Sequence, residues 1–173
     1  MHIEEHHFLV DGWVPNNPYY PLLHYKKLPI RGMPLGEPNA SAKFVVAHFA
    51  KNGWVSGWVD GIYPFQHYHS TAHEVLANIA DAVDVQFGGQ YGPIVSFGTG
   101  DVVVIPAGVG HCRKSSPRNL SIIGAYPAGQ GCDLKRATRS DFASAQQAIS
   151  KVPRPSMDPV TGLSAPLNAH WSG

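Results

Sequence analysis

Short runs of β-branched and aromatic residues, parted at close intervals by Gly, Pro and Asp, fill the middle of this chain. They cover residues 54–59, 62–69, 74–80, 83–87, 94–97, 102–105, 111–114 and 120–126. The dividers are Asp60-Gly61, Gly88-Gly89, Gly98 to Gly100 and Pro106 to Gly110, all turn-forming chemistry. Many short strands with tight turns predict an antiparallel sandwich or barrel. The run 102–105 is apolar at every position, as in a strand buried on both faces.

The flanks read differently. Phe44, Val45, His48 and Phe49 recur at helical spacing between Asn39, a residue of N-cap type, and the stop Asn52-Gly53. His48 on that face reads as a packing residue. Thr138 with Asp141 opens a second helical pattern, continued by Phe142, Ala145 and Ile149 and ended by Pro153 and Pro155. Residues 22–28 read as one strand, 29–38 as a loop, and the last twenty residues as an extended tail. The expected organisation is one domain over 1–173. Its barrel core spans about 54–126, an arm with a helix spans 1–53, and a helix and tail span 127–173.

Composition supports one domain and excludes several functions. At 173 residues with 43% apolar side chains, the chain can build a core without a staple. Net charge is +1, and no basic run exceeds Lys26-Lys27 or Arg113-Lys114, so no nucleic-acid surface is expected. Apolar runs stop at four or five residues, far short of a bilayer span, so no membrane partner is expected. Met1-His2-Ile3-Glu4-Glu5 opens without a signal-peptide pattern. Cys112 and Cys132 are too few for a disulfide framework and read as free thiols of a cytoplasmic protein, with one bridge as the alternative.

The chemistry lies in the ten histidines. In His67-Tyr68-His69 the two imidazoles face one side of a strand. Paired imidazoles are awkward core fillers but natural halves of a metal site. Strand parity then favours His73 as a further ligand. Glu74 competes with it if Ser70-Thr71-Ala72 bulges. His111 follows a buried strand and the turn Pro106-Ala107-Gly108, which can fold it back toward the pair. Tyr63 and Phe65 share the parity of His67 and read as pocket wall or core. Arg113 shares the face of His111, as a bidentate grip for a substrate carboxylate or as a rim arginine. Gln86 and Tyr126 are weaker candidates, Cys112 points away, and His2, His6 and His7 read as exposed.

Two segments carry a family pattern. Residues 61–74 run Gly, five residues, His-x-His, four residues, Glu; residues 100–111 run Gly, five residues, Pro-x-Gly, two residues, His. These resemble the two cupin motifs, departing at Asp81 and Ser115, where the motifs end in Gly and Asn. The chain also resembles the small single-domain cupins of the YjlB-like group at Asp11-Gly12-Trp13, Asn52-Gly53-Trp54, residues 67–76, Val85-Gln86-Phe87-Gly88-Gly89 and Gly124-Ala125-Tyr126-Pro127. The resemblance implies an all-β cupin fold, a double-stranded β-helix or jelly-roll barrel with a few peripheral helices. It implies one divalent transition metal per chain on His67, His69, Glu74 and His111. That donor set suits Fe, Mn, Ni, Co or Zn without choosing among them. With two positions left open on an octahedral ion, dioxygenase-type oxidation of a small organic molecule is the first expectation. A redox-neutral isomerase, lyase or decarboxylase, or a non-catalytic binding module, is the alternative. Cupins commonly pair, and the arm carries Phe8, Leu9, Val10, Trp13, Tyr19, Tyr20, Leu22 and Leu23, so a homodimer is expected.

Overall fold

The computed structural model describes residues 1–26, 30–34 and 36–172. Among these, the strands in chain order are β1 His2–His6, β2 Leu22–Lys26, β3 Trp54–Asp60, β4 His67–Tyr68, β5 Glu74–Asn78, β6 Val83–Phe87, β7 Ile94–Phe97, β8 Val102–Ile105, β9 His111–Arg113, β10 Ile122–Pro127 and β11 Lys135–Arg136. The helices are α1 Pro38–Lys51, α2 Arg139–Ile149 and α3 Leu167–His170. The strands form a six-stranded sheet, β1-β2-β8-β5-β10-β3, and a five-stranded sheet, β11-β4-β9-β6-β7. Every pairing is antiparallel. The fold is the expected all-β barrel with a few helices outside it.

Side-chain alternation explains how the two layers stack. Leu22, Leu76, Val103 and Ile105 point between the sheets, where they meet Val83, Val85, Phe87 and Phe97. Their neighbours Leu23, Tyr25, Val75 and Val104 face the other way, beneath Val45 and Phe49 of α1. The apolar run at β8 is therefore buried on both faces. It also needs backbone partners on both edges. β5 supplies one through Val75↔Val104, and β2 supplies the other through Leu23↔Val104.

Several elements differ from expectation. The sheet is wider than residues 54–126, because β1 and β2 of the arm complete it. The strand expected over 62–69 contracts to β4. Pro64 has no N–H to donate, and Phe65 O accepts from His67 Nδ1 at 3.0 Å instead of a ladder partner. Helix α1 begins one residue before Asn39, with Pro38 in its first turn and Glu37 as N-cap. The far end of the expected 22–28 strand and the start of the 29–38 loop lie outside the described residues. The C-terminal tail is no extended strand of coil. It carries α3, and Trp171 is fully buried, stacking on Tyr20 at 4.8 Å and donating Nε1–H to Pro21 O at 2.8 Å. Asp158 secures the tail by accepting from Tyr25 Oη at 2.5 Å and from the Leu167 N–H at 3.1 Å.

Candidate metal centre

The two sheets bring four chain positions to one end of the barrel interior. His67 opens β4 and His111 opens β9, and the register pairs them directly, with ring centroids 4.1 Å apart. His69 follows β4, and its ring lies 5.9 Å from each of the other two. The ligating nitrogens of the three rings all lie within 4.8 Å of one another. Glu74 opens β5 in the opposite sheet. Its Oε2 stands 3.4 Å from His69 Nε2 and 3.3 Å from His111 Nε2.

The turn over residues 70–72 decides which of His73 and Glu74 faces the imidazoles. Asp133 clamps that turn: its carboxylate accepts from the Ser70 N–H at 2.6 Å, the Ser70 hydroxyl at 2.5 Å and the Thr71 N–H at 3.3 Å. Regular strand parity is lost there, and Glu74 rotates toward the imidazoles. His73 turns to the other face. Its Nδ1 accepts from the Ala107 N–H at 3.0 Å, and its ring packs 4.8 Å from Trp171. The Pro-x-Gly turn is fixed in the same region. Gly108 has φ +90°, and a Cβ there would stand 2.7 Å from Asn16 O; its N–H donates to His69 O at 2.8 Å.

Hydrogen bonding assigns one tautomer to all three rings. His67 Nδ1 donates to Phe65 O at 3.0 Å, His111 Nδ1 to Val109 O at 3.1 Å, and His69 Nδ1 to Asp133 O. With the proton on Nδ1, each Nε2 presents a lone pair. Two of these lone pairs face Glu74 Oε2, a buried oxygen with no hydrogen-bond donor. Electron-rich atoms converging this closely call for a positive charge between them. Without an ion, a proton on His69 supplies that charge. Burial, then the neighbouring His111, lowers the His67 pKa to about 3. Burial would also depress His69, but the Glu74 carboxylate overrides it and raises the pKa to about 9. Burial opposes ionisation of Glu74, yet the two imidazoles hold its pKa well below the usual carboxylate range. The donor set fits a divalent transition metal.

These four side chains form the floor of a cavity of about 360 Å³, within the range of small-molecule sites. Tyr63, Trp58, Leu76, Tyr126, Cys132 and Asp133 contribute to its walls. Tyr63 is thus where parity placed it. Phe65 instead backs Tyr63 at 4.9 Å and lies under the Arg136 guanidinium at 3.4 Å. Arg113 follows the rim alternative: its Nε donates to Ile62 O at 3.3 Å, and its Nη1 donates to Ser115 O at 3.1 Å and Ser116 Oγ at 2.5 Å. Held by these loop acceptors beyond the end of β9, it sits outside the cavity lining. Among the described residues, no lysine or arginine lines the cavity. Gln86 is committed to Gln90 O and Gly92 O at 2.8 and 3.1 Å. Cys112 is buried and free, and Cys132 is exposed and free.

Two features of the site were not read from the sequence. Trp58 Nε1 donates to Tyr126 Oη at 3.1 Å, which sets the phenol beside His69 with ring centroids 5.8 Å apart. Gly124 makes that pairing possible, since a Cβ there would lie 2.0 Å from Trp58 Cζ2. That glycine, opposite Trp58 in the β10–β3 register, was the available signal. Asp133 gave none, because it sits in an irregular segment far along the chain. The motif departures are absorbed locally. Asp81 keeps an ordinary φ and accepts from the Asn119 N–H at 3.1 Å, and Ser115 Oγ accepts from the Asp84 N–H at 2.8 Å.

Fold and donor arrangement together define a cupin. The chain belongs to the YjlB-like group of that superfamily: it is 37% identical over 161 residues to the "Uncharacterized protein YjlB" of Bacillus subtilis (strain 168), covering 93% of this chain and 92% of that one. No family model matches the chain. Among solved structures, the DMSP lyase DddQ from Ruegeria pomeroyi DSS-3 overlaps at TM-score 0.39 and 21% identity, over 46% of this chain and 41% of the lyase. An acireductone dioxygenase from Bacillus anthracis, with a cadmium ion in its active centre, overlaps at TM-score 0.41 and 13% identity, over 64% of this chain and 80% of the dioxygenase. Procruciferin, an 11S globulin of Brassica napus, overlaps at TM-score 0.38 and 10% identity, over 57% and 31% of the two chains. This chain thus spans about two fifths of the lyase. These partial overlaps carry no chemistry across.

Proposed function

We propose that this chain is a metal-dependent enzyme that oxidises a small uncharged organic molecule with dioxygen. One observation carries the reading. Three imidazoles tied through Nδ1 to backbone carbonyls aim bare Nε2 atoms, with a buried unpaired carboxylate oxygen, at one point on the floor of a cavity. His67, His69, Glu74 and His111 would hold one divalent metal. When bound, it supplies a Lewis-acidic, redox-capable centre with positions open to substrate and oxygen.

The chain's own residues define the rest. The walls pair apolar surface from Leu76 and Trp58 with few polar groups, which suits a compact substrate of low polarity. Without a lining cation, the cavity offers no protein counter-charge to a carboxylate or phosphate. Burial raises the Tyr126 pKa far above its ordinary value, so the phenol keeps its proton. Its oxygen accepts from Trp58 and the phenol also meets the Cys132 thiol, a contact that a substrate oxygen would replace to receive the O–H. That retained proton favours a second reading, a redox-neutral isomerase or lyase in which Tyr126 acts as general acid.

The test is metal analysis of the purified chain, followed by oxygen-uptake and product assays over a panel of small neutral compounds, with His111→Ala as control. Oxygen consumption that depends on substrate and is lost in the variant supports oxidation. Turnover without oxygen consumption selects the redox-neutral reading. A chain that takes up no transition metal overturns both and leaves a binding module.

A further inference from the structure

A second cluster of ligand-type side chains lies at the far edge of the six-stranded sheet, with β8 between it and the strand β5 that carries Glu74. Glu4 and His24 are directly opposite each other in the β1–β2 register. His6 lies two residues beyond Glu4, so all three side chains share one face. Their ligand atoms lie within 4.8 Å of one another.

Two of those atoms have no explanation as core. His24 is completely buried, and its Nδ1 has no hydrogen-bond partner. His6 Nε2 is also buried and unpartnered. An unsatisfied buried ring nitrogen is costly, and two in one place form a poor packing solution. The other nitrogen of His24, Nε2, is bonded to Asp101 Oδ2 at 3.0 Å, and that oxygen is itself held by the Gly98 N–H at 3.1 Å. A carboxylate behind one imidazole nitrogen, with the other bare, is the arrangement that orients a metal-ligating histidine. Glu4 Oε2 stands 4.0 Å from His24 Nδ1. The Lys26 ammonium, 3.4 Å from Glu4 Oε1, and His2 Nε2, 3.3 Å from the same oxygen, are the other charged or titratable groups on that carboxylate. Burial lowers the pKa of both His6 and His24, which keeps them in the neutral form that ligates.

We propose that Glu4, His6 and His24 form a second divalent-metal site, of the zinc class, that clips the edge strand β1 to the sheet. Two imidazoles and one carboxylate suit such an ion and leave a fourth position for water. Tetrahedral coordination would draw the ligand atoms to about 3.3 Å apart. The half-exposed Glu4 side chain supplies the movement. Because β1 pairs with β2 alone among the described strands, the ion adds a tie that crosses the pairing.

The experiment is a zinc titration of the chelator-stripped full chain, with hydrogen exchange followed at residues 2–6. Glu4→Gln and His6→Ala are compared with the wild type. Each variant is expected to bind one equivalent fewer than the wild type. Zinc is expected to slow exchange at residues 2–6 in the wild type and not in the variants. The stoichiometry is read as a difference, so it holds whether or not the His67 site loads. The second variant keeps the test open if one fails to fold. Equal stoichiometry in wild type and variants, or exchange at residues 2–6 that ignores zinc in the wild type, overturns the proposal.

Discussion

Substitutions at Glu74 and His73, neighbours in sequence, are expected to fail in different ways. Glu74→Ala removes the carboxylate that faces His69 and His111, and bound metal measured by elemental analysis should fall severalfold. His73→Ala leaves the cavity untouched but strands the buried Ala107 N–H, an expected loss of about 1–3 kcal/mol in denaturant unfolding with metal content kept. His73 also gives a pH dependence. Burial lowers its pKa to about 3, whereas an unfolded histidine titrates near 6.5. Between those values the unfolded chain binds the extra proton, so stability falls as pH drops through the window. One such group contributes about 1.4 kcal/mol per pH unit. His73→Asn keeps an acceptor for Ala107 and removes the titration. Its stability should decline less steeply than that of the wild type between pH 6 and pH 4, and parallel curves would refute the assignment.

At the scale of elements, the strand rhythm was legible because each run is apolar on the face that the sheet buries. β6, β7 and β8 match the runs 83–87, 94–97 and 102–105 residue for residue. The edges were not. His2–His6 reads His-Ile-Glu-Glu-His, and its sheet pairing comes from the demand of β2 for a neighbour, which no local pattern encodes. The tail was equally silent, since Trp171 is held by Tyr20 and Pro21, 150 residues away in sequence. In the site, His67, His69 and His111 were legible through strand parity and turn chemistry. Glu74 needed the family spacing, because the bulge that re-aims it depends on Asp133. Arg113 stayed open between grip and rim because parity says nothing of loops that compete for a guanidinium. The β3–β10 contact can be tested directly. Gly124→Ala drives a methyl into Trp58, so tryptophan fluorescence should shift and stability should fall by about 1–3 kcal/mol. Metal content should hold, because neither residue bears a ligand. An unchanged emission spectrum would show that the indole has room to move.

For the whole molecule, metal at the cupin site should act as a staple between the two sheets. It binds the native state alone, so chelation should lower the melting temperature and added Fe(II), Mn(II) or Zn(II) should restore it. Identical melting curves before and after verified removal would contradict this. Leu9, Val10, Trp13 and Tyr19 of the arm are exposed, at 91%, 54%, 44% and 63% of their surface, a concentration of apolar area that a second copy would cover. Sedimentation at micromolar concentration is expected to give the dimer mass, and a monomer mass would refute it. The Asp133 clamp also has a consequence for the order of events in the cell. All four cupin ligands are present once residue 111 has been made, yet the turn that aims Glu74 and the carbonyl that sets His69 wait for residue 133, and β11 then pairs with β4. On the ribosome the ligands emerge before their geometry exists. Any metal capture is therefore expected at the closing stage of synthesis, and a nascent chain arrested between those two points would carry the full donor set without the turn that aims it.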